Sequence, residues 1–199
     1  MDENIVQLGK TDIYIIDQLM KGRIRKEDSL LDAGFGRGRN LEYFVRNNYN
    51  ISGIDLNPEY LPIILDQVKT WNPAYPRDKF SNASVASMPF QSESFDFVFC
   101  VAVLHFAKSH DQFWAMLNEL LRVLKKGGFL LFRMTSWHTF DHVPRTNSGL
   151  VTIADGERYM LDIEDFRSFT KEKGYSLAEP IKTTNVDGLR AMTTILIQK

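Results

Sequence analysis

The strongest constraint on the fold is a glycine cluster, Leu30-Leu31-Asp32-Ala33-Gly34-Phe35-Gly36-Arg37-Gly38, between a short apolar run and a helical pattern. Glycine lets a chain turn sharply out of a strand and bring its backbone close to a ligand, because no Cβ stands in the way. A second acid, Asp55, closes the next apolar run (Ile51–Asp55), 21 positions after Gly34. In a doubly wound sheet, that spacing sets a carboxylate beside the glycine loop, where a ribose diol would sit. The dinucleotide fingerprint G-x-G-x-x-G fails here, because Arg39 stands at its third glycine. A phosphate-binding P-loop fails too, since no Gly-Lys-Ser/Thr follows.

The surrounding pattern alternates strand and helix from Ser29 to Met134, which predicts a parallel α/β sheet. Strands are expected at Ser29–Ala33, Ile51–Asp55, Phe80–Ser84, Phe95–Val101 and Phe129–Phe132. Phe95–Val101 is apolar throughout except Asp96, as suits a strand buried on both faces. Thr11 is the expected cap of a first amphipathic helix. Asn57-Pro58-Glu59 opens another, in which Pro62 reads as a flaw that loses a backbone bond. Gly127-Gly128 is expected to end the helix carrying Phe113, Leu117 and Leu121.

Beyond Met134 the pattern changes. Ser136–Gly149 reads as a loop and Asp155-Gly156 as a hairpin turn. Asp162 caps a last helix stopped by Gly174. Tyr175–Thr183 and Met192–Ile197 are candidate strands that would pair antiparallel at the sheet edge. The expected fold is therefore a doubly wound, Rossmann-like, mostly parallel sheet with an antiparallel C-terminal edge strand and helices on both faces. One domain over 1–199 is expected: a cap helix (1–28), a core (29–134), a lid loop and hairpin (135–160), and a final helix with strands (161–199).

Composition narrows the function. Lys plus Arg total 24 against 25 Asp plus Glu, so there is no basic surplus for a phosphate backbone and no nucleic-acid partner is expected. A single cysteine, Cys100, excludes an internal disulfide framework and a Cys-rich zinc site. No run approaches the roughly 18 apolar residues of a membrane span. Met1–Lys10 carries acids and no apolar run, unlike a signal peptide. A cytoplasmic address and no membrane partner are expected.

Four segments, in order and correctly spaced, resemble class I S-adenosylmethionine-dependent methyltransferases. Asp32, Gly34, Gly36 and Gly38 match that family's acid-x-Gly-x-Gly-x-Gly motif, and Asp55 matches its strand-2 acid. Ala86-Ser87-Met88-Pro89-Phe90 with Ser94-Phe95-Asp96-Phe97-Val98 is similar to its Leu-Pro-Phe…Phe-Asp segment. Leu121-Arg122-Val123-Leu124-Lys125-Lys126-Gly127-Gly128 resembles its Arg-Val-Leu-Lys-Pro-Gly-Gly. Gly36-Arg37-Gly38-Arg39-Asn40 and Gly188-Leu189-Arg190…Thr194 look most like the small tellurite-resistance type.

The resemblance implies S-adenosylmethionine as cofactor, held by Asp32, Gly34, Gly36, Gly38, Asp55, Leu56, Ser84, Val85 and the carbonyl of Cys100. Ser84 stands where the family often has an acid for the adenine amino group, Phe35 replaces a small residue, and Lys126 replaces a proline. The implied reaction is in-line methyl transfer to a small-molecule acceptor, without a metal. His105, just after the fourth strand, is the candidate base for a protonated nucleophile. His138 and Arg145 are further candidate catalytic residues, on a lid, Ser136–Arg145, which is expected to close the acceptor pocket together with the N-terminal helix around Tyr14. Simpler readings stay open: Asp32 as an orienter of loop amides, Cys100 as a small core hydrophobe, His105 as pocket lining. So do two other functions, a nicotinamide-binding oxidoreductase and a non-catalytic cofactor-binding protein.

Overall fold

The computed structural model describes residues 8–139, 145–153, 156–186 and 190–199. In chain order its elements are α1 (Ile13–Met20), β1 (Ser29–Ala33), α2 (Glu42–Arg46), β2 (Asn50–Asp55), α3 (Tyr60–Trp71), β3 (Phe80–Asn82), β4 (Phe95–Val101), α4 (His110–Val123), β5 (Leu124–Met134), β6 (Leu150–Ile153), β7 (Gly156–Tyr159), α5 (Ile163–Lys173), β8 (Ser176–Leu177), β9 (Lys182–Val186) and β10 (Arg190–Gln198). The first five strands run parallel in the order β3-β2-β1-β4-β5. β10 adds antiparallel to β5, and β8 and β9 pair antiparallel with β10 in turn. The antiparallel addition at this side is as expected, with β10 one place in from the edge.

The sheet separates two cores. Val98, Cys100, Leu130, Phe132 and Ile195 pack with Phe113 and Leu117 of α4 and Phe166 of α5 on one face. Leu30, Phe97, Phe99, Leu131 and Leu196 pack with Ile15 of α1, Phe44 of α2 and Ile64 of α3 on the other. Alternation along each strand delivers side chains to both faces, so the inner strands must be apolar throughout. The chain winds outward from β1 to β3, then crosses back to β4 on the other side of β1. The loops leaving β1 and β4 thus diverge at the strands' C-terminal ends and open a crevice.

Several local expectations are corrected. The N-cap of α1 is Asp12, whose Oδ1 accepts from the Tyr14 N–H at 3.1 Å, and not Thr11. Pro62 is no flaw: it is the third residue of α3, where an N–H has no acceptor within the helix. Gly127-Gly128 do not end a helix. α4 stops at Val123, and the two glycines lie inside β5, where the Gly127 N–H donates to the Lys199 carbonyl at 2.7 Å. Asp96 has a structural task, accepting from the Ser29 N–H at 2.9 Å and from Lys125 Nζ at 2.7 Å.

Candidate functional site

The glycine loop leaves β1 and is drawn toward β2, where the Ile54 carbonyl accepts from the N–H groups of Gly34 (2.8 Å) and Phe35 (3.1 Å). The three glycines do different work. A Cβ on Gly34 would meet Val103 Cγ2 at 2.2 Å, and one on Gly38 would meet Ile64 Cδ1 at 2.4 Å. These two are packing glycines. Gly36 has φ +53° and nothing within 4 Å of its missing Cβ, so it opens onto the cleft.

Asp55 stands at the end of β2. Its Oδ2 accepts from the Gly36 N–H at 2.8 Å and its Oδ1 from the Asn57 N–H at 2.9 Å. Asn82 Nδ2 donates to the carbonyls of Asp55 and Leu56 at 2.8 and 2.9 Å, fixing the strand-2 turn against β3. Leu56 is 71% exposed, an apolar side chain presented along the cleft. Ser84 Oγ accepts from the Ala86 N–H at 3.1 Å, so its hydroxyl shapes a turn at the rim and keeps its own proton to donate.

These residues line one cleft of about 1160 Å³ at the C-terminal ends of the parallel strands. Of the positions singled out in the sequence, Gly34, Gly36, Asp55, Leu56, Ser84, Val85 and His105 line it. His105 sits in a 3-10 turn, Leu104–Phe106, buried and edge-to-face with the Phe106 ring at 4.6 Å.

Other expected site residues are placed elsewhere. Cys100 is fully buried among core side chains, and burial pushes its thiol pKa up. Val101, Ala102 and Val103 take the cleft-facing place expected of its backbone. Ala102 holds φ at +61°, a strained region for a residue with a Cβ, and its N–H donates to the Arg133 carbonyl at 2.8 Å. Asp32 is fully buried and is not on the cleft wall. Neither of its oxygens has a hydrogen-bond partner among the described residues. Burial raises its carboxyl pKa to about 8, with Arg39 opposing and Asp55 adding to the rise.

His138 and Arg145 are not brought to the cleft. They line a second hollow with Asp162, Glu164 and Arg167, and Arg145 Nη1 pairs with Asp162 Oδ2 at 2.5 Å. The reason is the path of the chain after β5. Ser136 bridges to Leu161, and the Trp137 N–H donates to the Leu161 carbonyl at 3.0 Å, turning the segment toward the start of α5. The β6–β7 hairpin takes the position expected of the lid, contributing Ile153 and Arg158 to the cleft. Residues 140–144 of the expected lid, including Phe140 and His142, lie outside the described residues.

The sequence reading missed Arg133, Thr135, Arg158, Ala191 and Met192, all of which line the cleft. Arg133 had a signal: a cation interrupting the apolar run Phe129–Met134, at the strand end where ligands of such sheets bind. Neither Asp12 nor Tyr14 lines the cleft; both reach it through Arg133, Asp12 by an ion pair and Tyr14 by its ring. Asp12 Oδ2 accepts from Arg39 Nη2 at 3.3 Å and Arg133 Nη1 at 3.0 Å, and the Asp12 N–H donates to Asn40 Oδ1 at 3.0 Å. The Tyr14 hydroxyl lies 2.6 Å from Thr184 Oγ1.

Comparison with known proteins agrees with this geometry. A family model described as a methyltransferase domain matches residues 31–132. The chain belongs to the methyltransferase-domain family. That match runs from β1 into β5, the segment that builds the glycine loop and the strand-2 and strand-4 sides of the cleft. An uncharacterized protein of Methanocaldococcus jannaschii is 32% identical over 117 residues, 58% of this chain and 45% of that protein. An uncharacterized methyltransferase of Bacillus subtilis, YodH, is 30% identical over 122 residues, 57% of this chain and 46% of that protein. The chain thus spans less than half the length of the curated relatives it matches. Among solved structures, a SAM-dependent methyltransferase from Methanosarcina mazei superposes with a TM-score of 0.69 at 18% identity, covering 91% of this chain and 96% of that one. Magnesium protoporphyrin IX methyltransferase from Synechocystis, with bound SAM, gives a TM-score of 0.69 at 15% identity, covering 94% of this chain and 77% of that one. These likenesses agree with the fold.

Proposed function

We propose that this protein transfers a methyl group from S-adenosylmethionine to a small-molecule acceptor. The carrying observation is the pairing of Gly36 and Asp55: a glycine whose missing Cβ leaves the cleft open, fastened by a strand-end carboxylate. The site fits the cofactor. Gly34 to Gly36 offer backbone at close approach, Asp55 has lone pairs left to accept from a ribose diol, and Leu56 offers an apolar surface to a flat base. Ser84 can donate, but not accept with charge, at the rim where a base edge would be read. Asp32 stays behind this lining, fully buried.

When bound, the cofactor supplies a methyl group already activated on a sulfonium. What this chain must add is alignment in a largely dry cleft, which is worth up to about 7–11 kcal/mol in favourable cases. His105 is the group that takes a proton when the acceptor's nucleophile carries one. An acceptor that is already anionic leaves it only a positioning task. The likeness of Gly36–Asn40 to the tellurite-resistance type makes tellurite and selenite part of the acceptor panel.

Calorimetric titration tests the reading. S-adenosylmethionine and S-adenosylhomocysteine are expected to bind at micromolar levels, and NAD not at all. Ligand at 100 times its dissociation constant adds about 2.7 kcal/mol of stability. Binding of NAD with no response to either adenosyl ligand overturns the reading.

A further inference from the structure

Two arginines line the cleft that the glycine-loop motif does not call for: Arg133 at the C-terminal end of β5 and Arg158 on β7. The Arg133 side chain is only 16% exposed. Its Nη1 donates to Asp12 Oδ2 at 3.0 Å, while its Nε is buried with no hydrogen-bond partner among the described residues. Its guanidinium also lies 5.2 Å from the centre of the Tyr14 ring. Asp12 is shared with Arg39, so two guanidinium groups lean on one carboxylate.

Arg158 is held differently. Its guanidinium lies over the Phe106 ring, 4.6 Å from the ring centre. The strand that carries it is fixed by its neighbour Tyr159, which stacks on Phe113 at 4.8 Å and whose hydroxyl lies 2.8 Å from His110 Nδ1. Phe106, under Arg158, and Ile153 and Met192 add apolar lining to the same cleft.

The charge is one-sided. Four arginines (Arg37, Arg39, Arg133 and Arg158) line the cleft, and Asp55 is the only acid among the described lining residues. Both Asp55 oxygens already accept from backbone N–H groups. A guanidinium this enclosed, with one donor unused, is costly to bury beside a single carboxylate. A planar fork of donors matches a carboxylate better than any neutral group.

We propose that this end of the cleft binds the acceptor by a carboxylate, held by Arg133 and Arg158, with an apolar body against Phe106, Ile153 and Met192. The proposal rests on the methyl-transfer reading for calling the ligand an acceptor. The anion site itself is measurable without turnover.

The test is calorimetric titration of benzoate, cyclohexanecarboxylate, benzamide and sodium selenite into the protein, with and without saturating S-adenosylhomocysteine. At least one carboxylate is expected to bind about tenfold or more tighter than benzamide, as fits a charge-assisted pair gained or lost. Arg158→Gln should abolish that preference while S-adenosylhomocysteine affinity stays within about twofold of wild type. Arg133→Lys keeps the charge on Asp12 but loses the fork, and should weaken the carboxylate in the same direction. Benzamide binding as tightly as benzoate, no binding of either carboxylate, or an Arg158→Gln protein that keeps the preference overturns the proposal. Selenite binding without any carboxylate overturns it in favour of a small inorganic oxyanion. Failure of S-adenosylhomocysteine to bind strikes the methyl-transfer reading instead, and the titration of the ligand-free protein still reports on the anion site.

Discussion

Asp55 and Gly36 are joined by a 2.8 Å hydrogen bond from the glycine N–H to Oδ2 of the carboxylate. The residue proposed to receive a ribose is therefore also the one that fastens the glycine loop. Asp55→Ala removes both functions. It should weaken S-adenosylhomocysteine by more than about tenfold, since hydrogen bonds to charged groups are worth about 1.5–3 kcal/mol. Asp55→Asn keeps one oxygen to accept from a loop N–H and should fall between the two. Calorimetry on folded protein, with circular dichroism as the folding control, checks the order. Equal affinity for Asp55→Ala and wild type would remove Asp55 from the site.

The glycines predict opposite phenotypes. Gly34→Ala drives a methyl into Val103 at 2.2 Å and holds alanine at φ +99°, so it should cost about 2 kcal/mol or more of stability. Gly36→Ala meets no atom within 4 Å and carries only the backbone strain, about 1 kcal/mol. Its methyl points into the cleft, so cofactor affinity should suffer more than stability. Urea midpoints and ligand titrations on both variants decide this, and Gly34→Ala combined with Val103→Ala should recover part of the loss. Equal stability losses for the two would contradict the division of labour.

Glu179 ties the C-terminal end of α1 to β9. It accepts from Lys21 Nζ at 2.6 Å and pairs with Arg23 and Lys182. These three cations outweigh the cost of its burial and hold its carboxyl down at about 2, from an ordinary 4.5. A carboxyl depressed in the folded state stabilises above its ordinary pKa, and that contribution disappears as pH falls toward the folded value. Stability should thus decline between pH 4.5 and 2. Glu179→Gln should be less stable than wild type at neutral pH, with the gap closing in acid. A gap that stays constant from pH 7 to pH 2 would show that the cluster contributes nothing through charge.

Much of this was legible in the sequence because it is local or carried by two-sided burial. The run Phe95–Val101 announced a central strand, and the match with β4 is residue for residue. The glycine cluster announced its turn because left-handed backbone is needed within a few residues of β1. The end of the cleft lined by Arg133 and Arg158 was not legible, because it depends on contacts between distant segments. Whether the chain after β5 covers the cleft or turns away is decided by the bridge from Ser136 to Leu161. That bridge sends His138 and Arg145 to another hollow and leaves the cleft to Arg158. Arg133 lies just past the expected end of the fifth strand at Phe132. Its importance comes from Asp12, which no local pattern links to it. The two glycines placed at a helix end lie within β5 for a similar reason: the Lys199 carbonyl, near the far end of the chain, receives the Gly127 N–H.

The buried acid in β1 predicts the remaining pH dependence. Asp32 is fully buried with no hydrogen-bond partner among the described residues, and desolvation is the largest cause lifting its carboxyl from 3.8 to about 8. In the unfolded chain the group ionises near its ordinary value. Below pH 3.8 both states hold the proton, and this group contributes no difference. Between pH 3.8 and about 8 the folded state keeps a proton that the unfolded state has released. Stability therefore falls as pH rises through that window and levels off above it. Asp32→Asn keeps the shape and cannot ionise, so it should lack this component. In ligand-free protein the difference in stability, variant minus wild type, should grow from pH 4 to pH 8 and then flatten. Urea unfolding at several pH values measures it directly. Parallel profiles for the two proteins would mean that Asp32 is ionised in the folded state at neutral pH. In that case its burial must be compensated by a partner such as ordered water.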